Sequence, residues 1–238
     1  MDLGFNDVIE LLNVSREKLE TWIKEGKIPA YRVQDQYFFS REVIDNWLVQ
    51  HNLEREPFDW NTGEKENNGS LQFALFRAIH KGEVLHEVSA TNKEDLIKAA
   101  TKEIARKVDV EEEMLADLLI ERERLMSTAL GNGVAVPHTR DFLLSEHQDA
   151  VFIVFPKDPI DYASLDHKKV DVLFFLLACE DKRHLHLLSK IAHLSLVSES
   201  LDFFKSKPTK HEILKFVRNW EGQIKGAAKA ASLEKTSV

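Results

Sequence analysis

A second cysteine is missing from this chain of 238 residues, so Cys179 can form no internal disulfide. Its expected place is that of a small residue in the core. Long apolar runs are missing too: the longest, Val172-Leu173-Phe174-Phe175-Leu176-Leu177-Ala178-Cys179, is too short for a membrane-spanning helix. It reads as a central strand buried on both faces. The amino terminus has no basic start followed by a continuous apolar stretch, so no secretory leader and no membrane insertion are expected, and the expected location is the cytoplasm. Nor is there an excess of positive charge. The net charge of −8 argues for solubility and against non-specific attraction to anionic surfaces. What is present is 43% apolar composition, enough for a substantial core in one or two domains.

A polar stretch divides the chain. Residues 53–70 carry turn formers and charge without apolar periodicity and are expected to be a flexible linker between an N-terminal domain, 1–52, and a larger one, 71–222. Helix-compatible spacing covers Leu71 to Lys81, Val84 to Ser89 is a short strand, and Thr91 with Glu94 makes a capping box for a helix to about Arg106. A further amphipathic helix spans about Glu111 to Arg124. Strands are expected at Ala150 to Phe155 and Val170 to Cys179, and Thr209 with Glu212 caps a last helix ending near Trp220. This alternation indicates an α/β layer architecture. Residues 223–238 lack an apolar face and are expected to be a frayed tail.

The chemistry concentrates at residues 121–140. A charged helix end containing Arg122 and Glu123 leads through Ser127-Thr128 to Gly131-Asn132-Gly133-Val134-Ala135-Val136-Pro137-His138. Pro137 fixes its own φ and biases Val136 toward extended backbone, so His138 leaves a strand end in a defined direction. A ring with an ordinary pKa of about 6.5 is mostly neutral at cytoplasmic pH and can act as a nucleophile. Gly131 and Gly133 allow backbone N–H groups to approach an anion, and Asn-Gly is equally a tight-turn signal. Further on, His184-Leu185-His186-Leu187-Leu188 follows the long apolar strand on a helix. His184 and His186 diverge by about 200° on that helix, and the stretch lacks His-Glu-x-x-His spacing, so neither a metal site nor a cofactor is expected.

These motifs resemble the IIA domains of the bacterial phosphotransferase system, in their fructose, mannitol and nitrogen-regulatory class. The resemblance implies a mixed sheet flanked by helices over about residues 71–222. It implies that His138 carries a phosphoryl group, that Arg122 holds phosphate oxygens, and that His184 stands beside the first ring and donates a hydrogen bond to the phosphoryl charge. The donor it implies is an HPr-type phosphocarrier. Phosphoryl transfer rests mainly on such positioning and charge stabilisation. A second phosphorylated site and a set of membrane spans cannot be placed, so a free-standing IIA protein is expected.

The first 50 residues have a separate character. Phe5, Val8, Ile9 and Leu12 give one helix face, and Ser15 can cap a second helix carrying Leu19, Trp22 and Ile23. Two short strands and a third helix from Arg41 follow. This order resembles the winged helix-turn-helix of excisionases and the MerR group, in which the second helix enters the major groove. The resemblance makes Arg16, Lys18, Thr21, Lys24, Lys27 and Arg32 the candidate DNA contacts. The wing turn departs from the family in having Gln34-Asp35-Gln36 in place of glycine. Residues 1–50 also hold six Lys or Arg against nine Asp or Glu, which opposes phosphate neutralisation. Two outputs stay open: a regulator whose phosphorylation state alters DNA or protein binding, or a metabolic carrier that passes phosphate to a separate IIB protein and uses the N-terminal module for docking.

Overall fold

The structure, a computed structural model, describes residues 2–12, 14–41, 43–44, 46–47, 74–139, 141–144 and 149–234. The expected linker, 53–70, lies outside these residues. The N-terminal module consists of β1 (Asp2–Gly4), α1 (Phe5–Leu12), α2 (Arg16–Lys24), β2 (Tyr31–Val33) and β3 (Gln36–Ser40), and residues 41, 43–44 and 46–47 are helical. As expected, Ser15 caps α2, its hydroxyl accepting from the Lys18 N–H at 3.2 Å. β1 was not expected. It pairs antiparallel with β3 to give the order β1-β3-β2, and three residues are too few to show alternation. The wing solves its lack of glycine by placing Gln34 and Asp35 at φ 46° and 66° between the paired Val33 and Gln36. Two left-handed residues are what a hairpin turn of this length demands.

The larger domain is built on β7 (Ala150–Pro156) and β8 (Val172–Leu177), every residue of which is buried. They pair antiparallel in the middle of a mixed sheet ordered β4-β7-β8-β6-β5, with β4 (Val84–Val88), β5 (Ala129–Gly131) and β6 (Val134–Ala135) outside them. Side chains alternate across a strand, so a run apolar at every position needs cover on both sides. Val172, Phe174 and Leu176 face one apolar layer, and Leu173, Phe175 and Leu177 face the other. The second layer is closed by α4 (Lys93–Val108) and α5 (Glu112–Leu125) through Leu96, Ile104, Leu115 and Leu119. The first is closed by α3 (Ala74–Lys81), α6 (Asp181–Leu194), α7 (Ser198–Lys205) and α8 (Lys210–Glu234). Gly82 makes one of these contacts possible, because a side-chain carbon there would lie 2.0 Å from the Val151 carbonyl oxygen.

Several boundaries differ from the sequence expectation. Asn92, not Thr91, caps α4, its side-chain oxygen accepting from the Asp95 N–H at 2.9 Å. Both residue types can cap, and a one-residue shift exchanges them. The Thr209–Glu212 box does form, with Thr209 N–H donating to Glu212 Oε2 at 2.8 Å. The helix it opens runs to Glu234 instead of ending near Trp220. Its last turns are rich in Ala and Lys, which favour helix without needing an apolar face.

Buried charges tie these layers together. Glu221 on α8 accepts from the first N–H groups of α3, Leu75 at 3.2 Å and Phe76 at 3.1 Å, and pairs with Lys190 of α6 at 2.5 Å. Asp149, just ahead of β7, accepts from Cys179 N–H at 3.0 Å and pairs with Arg183 on α6. Burial pushes the Asp149 carboxyl up, but the Arg183 guanidinium and the Cys179 N–H outweigh it and hold the pKa below the ordinary value. A carboxyl depressed in the folded state contributes stability above its unfolded pKa, about 3.9, and loses it as pH falls through the folded value. Asp149→Asn should therefore cost about 2 kcal/mol at neutral pH in urea unfolding, the scale of a hydrogen-bonded charge. The gap to wild type should close below about pH 4. A gap that stays constant down to about pH 2 would show that Asp149 contributes nothing through its charge.

Candidate functional site

His138 stands where β6 runs out beside the end of β8. Its backbone bridges to Leu176 in parallel register, and Leu176 N–H donates to the Pro137 carbonyl at 2.9 Å. Because α6 follows directly on β8, its first turn returns beside this point and carries His184. The two rings lie 5.1 Å apart at 65°, edge to face. Arg122, in the last turn of α5, completes the group. Its Nε–H donates to His138 Nε2 at 3.2 Å, and its Nη1 donates to the Met126 carbonyl at 3.0 Å. The sequence-chosen trio, His138, His184 and Arg122, is thus brought together.

The hydrogen bonds fix the state of the His138 ring. Nδ1 lies 2.7 Å from the Val136 carbonyl, which can only accept, so Nδ1 carries the proton. Nε2 faces a guanidinium, which can only donate, so Nε2 holds the lone pair. A neutral imidazole with a defined nucleophilic nitrogen results. His184 is neutral for another reason: burial, then the positive charges possible on His138, Arg41 and Arg122, push its pKa well below the ordinary value. At neutral pH, nitrogen-resolved NMR should therefore show His138 as the Nδ1–H tautomer with an unprotonated Nε2. The opposite tautomer would contradict the hydrogen-bond assignment.

Glu123, next to Arg122, serves the site from behind. It is buried and accepts from Thr128 N–H at 2.9 Å, Thr128 Oγ1 at 2.6 Å and Lys93 Nζ at 3.0 Å. Thr128 O in turn accepts from Val136 N–H at 2.9 Å, so the carboxylate pins the helix end carrying Arg122 to the hairpin carrying His138. This explains why Arg-Glu and Ser-Thr occur together. Buried Tyr162 lies beside the same carboxylate; burial first, then the Glu123 charge, raises its pKa well above the ordinary value. Lys93 and Tyr162 come from distant segments and carry no local signal.

Gly131 and Gly133 do not join the site. They flank Asn132 in the β5–β6 turn, all three at positive φ, at the opposite end of β8 from His138: Gly133 O accepts from Asp171 N–H at 2.8 Å. Asn132 N–H is taken by Asp166 Oδ2 at 2.8 Å, and a side-chain carbon at Gly133 would lie 2.5 Å from Asp171 Oδ2. The glycines are needed for the turn, and carboxylates crowd the place where a phosphate was expected.

Two further residues touch the site from the N-terminal module. Asn46 Oδ1 accepts from Arg122 Nη2 at 3.2 Å, and Arg41 Nε lies 2.6 Å from Asp181 Oδ1 at the start of α6. Neither carried a sequence signal. The candidate DNA contacts fall elsewhere on that module. Arg16, Thr21 and Lys24 are exposed on α2, where Lys18 is half-buried with its amine over the Trp22 ring, and Lys27 and Arg32 are exposed beyond it. Three of these pair with acids nearby: Arg16 with Glu20 at 3.8 Å, Lys27 with Glu25 at 3.0 Å and Arg32 with Asp35 at 2.6 Å.

Comparison with known proteins gives the class to which this buried histidine pair, guanidinium and mixed sheet belong. Residues 77–220 match the family described as phosphoenolpyruvate-dependent sugar phosphotransferase system, EIIA 2, and the chain belongs to it. Residues 3–52 match a helix-turn-helix domain family. The nitrogen regulatory protein of Pseudomonas aeruginosa is 33% identical over 147 residues, covering 60% of this chain and 94% of that protein. The mannitol-specific phosphotransferase enzyme IIA component of Halalkalibacterium halodurans is 33% identical over 133 residues, covering 55% and 88%. The crystal structure of nitrogen regulatory protein IIA-Ntr from Neisseria meningitidis shares the fold with a TM-score of 0.55 at 22% identity, covering 60% of this chain and 98% of that one.

Proposed function

We propose that the protein is a phosphorylation-dependent regulator in which His138 Nε2 accepts a phosphoryl group from an HPr-type phosphocarrier. The observation that carries this reading is the pair of contacts on the His138 ring, Nδ1 at the Val136 carbonyl and Nε2 at the Arg122 guanidinium. In the transfer, a P–N bond forms at Nε2 as the donor's P–N bond breaks, and the donor nitrogen keeps the electron pair. The Nδ1 proton stays on the ring, where the Val136 carbonyl stabilises the positive charge that develops. Arg122 turns its donors from the nitrogen to the phosphoryl oxygens, and His184, neutral, donates an N–H to the same group.

The output we assign to the N-terminal module is DNA binding through α2 and the wing, regulated by the phosphorylation state of the larger domain. Its exposed ion pairs contribute little and can be exchanged for phosphate contacts. The nitrogen-regulatory relatives and the helix-turn-helix match favour regulation over a metabolic carrier role. The mannitol-specific relative supports the second reading, transfer from His138 to a separate IIB protein.

Incubation with phosphoenolpyruvate, enzyme I and HPr should add one acid-labile phosphoryl group by intact mass, and His138→Ala should add none. His184→Ala and Arg122→Ala should slow transfer by roughly 10²–10³-fold, the usual loss for one engaged donor at a developing charge. Normal uptake by His138→Ala would overturn the site assignment. Selection of bound DNA sequences by the full-length protein tests the output, and the absence of any sequence preference would leave protein docking or phosphate transfer.

A further inference from the structure

Transfer between proteins requires the phosphorus to come within about 3.5 Å of the accepting nitrogen, with its leaving group in line. The group as it stands does not permit that approach: His138 is 0% exposed, His184 1% and Arg122 2%. The N-terminal module lies on this side of the domain. Helix α1 packs on α6, and the module's buried apolar residues are continuous with Leu185 and Leu188 of α6 in one layer. Two polar contacts flank the apolar one. Asn46 Oδ1 accepts from Arg122 Nη2, and Arg41 pairs with Asp181 with its guanidinium 4.6 Å over the Phe142 ring. The Arg41 and Asp181 side chains are only 13% and 23% exposed, so this pair belongs to the interface and not to the solvent surface.

We propose that the N-terminal module is an intramolecular lid on the phosphorylation site, clasped by Asn46 on Arg122 and by Arg41 on Asp181, which a phosphodonor protein must displace. The inference rests on His138 being the phosphoryl acceptor. Competition for one guanidinium makes the coupling reciprocal. Phosphoryl oxygens on Nε2 draw the Arg122 donors, including the one that Asn46 holds, so phosphorylation weakens docking. By linkage, docking weakens phosphorylation by the same factor. The lid leaves Arg16, Thr21 and Lys24 of α2 exposed while closed, so phosphorylation changes where the module sits and not merely whether its basic face is free.

The test uses the full-length protein and its Arg41→Glu/Asn46→Ala variant, which reverses one clasp and removes the other while His138, His184 and Arg122 keep their identities. Both are charged with HPr, enzyme I and phosphoenolpyruvate and followed by intact mass. The open variant should take up phosphate at least tenfold faster than wild type. Rates equal within twofold would overturn the lid while leaving His138 as acceptor. Should the variant not fold, amide hydrogen exchange of the wild type decides: residues 5–12 and 181–185 should exchange at least tenfold faster after phosphorylation, and unchanged protection in both segments overturns the lid. If neither protein takes up phosphate at His138, the phosphotransfer reading itself fails and the lid fails with it.

Discussion

The antiparallel pairing of β7 with β8 is the constraint from which the rest of the larger domain follows. Both strands are apolar at nearly every position, and neither face of their pairing can be left to water. Helices must therefore cover both sides, and the chain has to cross from one layer to the other. His138 is fixed at one such crossing, because β6 pairs in parallel with β8 and a single backbone bond, Leu176 N–H to Pro137 O, continues that pairing to the histidine. The same strand hands the chain to α6, whose N-terminal turn holds His184. Two residues 46 positions apart in sequence thus meet because both are indexed to the end of one buried strand.

Polar groups behind the site convert this proximity into a chemical state. A guanidinium on a free surface would rotate among many partners, whereas Arg122 is held by Met126 O and His138 Nε2 at a helix end that Glu123 ties to Thr128. Buried Glu123 keeps its charge acceptable by taking hydrogen bonds from both Thr128 groups and from Lys93. A buried charge left without such partners costs several kcal/mol, roughly the scale of the stability of a whole domain. The ring tautomer, the orientation of Arg122 and the packing of the hairpin are therefore one arrangement.

How much of this could be read in the sequence depended on how local the cause was. His138, Arg122 and His184 were legible because short motifs carry them, and β8 because eight apolar residues in a row leave a strand few other places to go. The Thr209–Glu212 cap needed only a four-residue window. The Gly131-Asn132-Gly133 run is the same text for a turn and for a phosphate cradle; only the carboxylates of Asp166 and Asp171, brought from another loop, separate the two. β1 escaped notice because its partner begins more than 30 residues later. Asn46 lies 76 residues from Arg122, and nothing local to either marks the contact.

That contact also limits how strongly the two modules can be coupled. A hydrogen bond to a charged group contributes about 1.5–3 kcal/mol, and a partly exposed ion pair such as Arg41–Asp181 about 1 kcal/mol or less. Losing the first of these on phosphorylation would shift docking by roughly 10- to 150-fold, within the usual range of allosteric coupling. Docking itself does not need to be tight, because a tethered module sees its site at an effective concentration of about 1 mM. An intrinsic dissociation constant near 0.1 mM would close the lid about nine-tenths of the time. The net charge of the module, with acids outnumbering bases, gives it no general attraction to the acidic chain it rests on. Its hold comes from a few aligned groups and the apolar seam between α1 and α6, and a hold of that kind can be released by re-partnering one arginine.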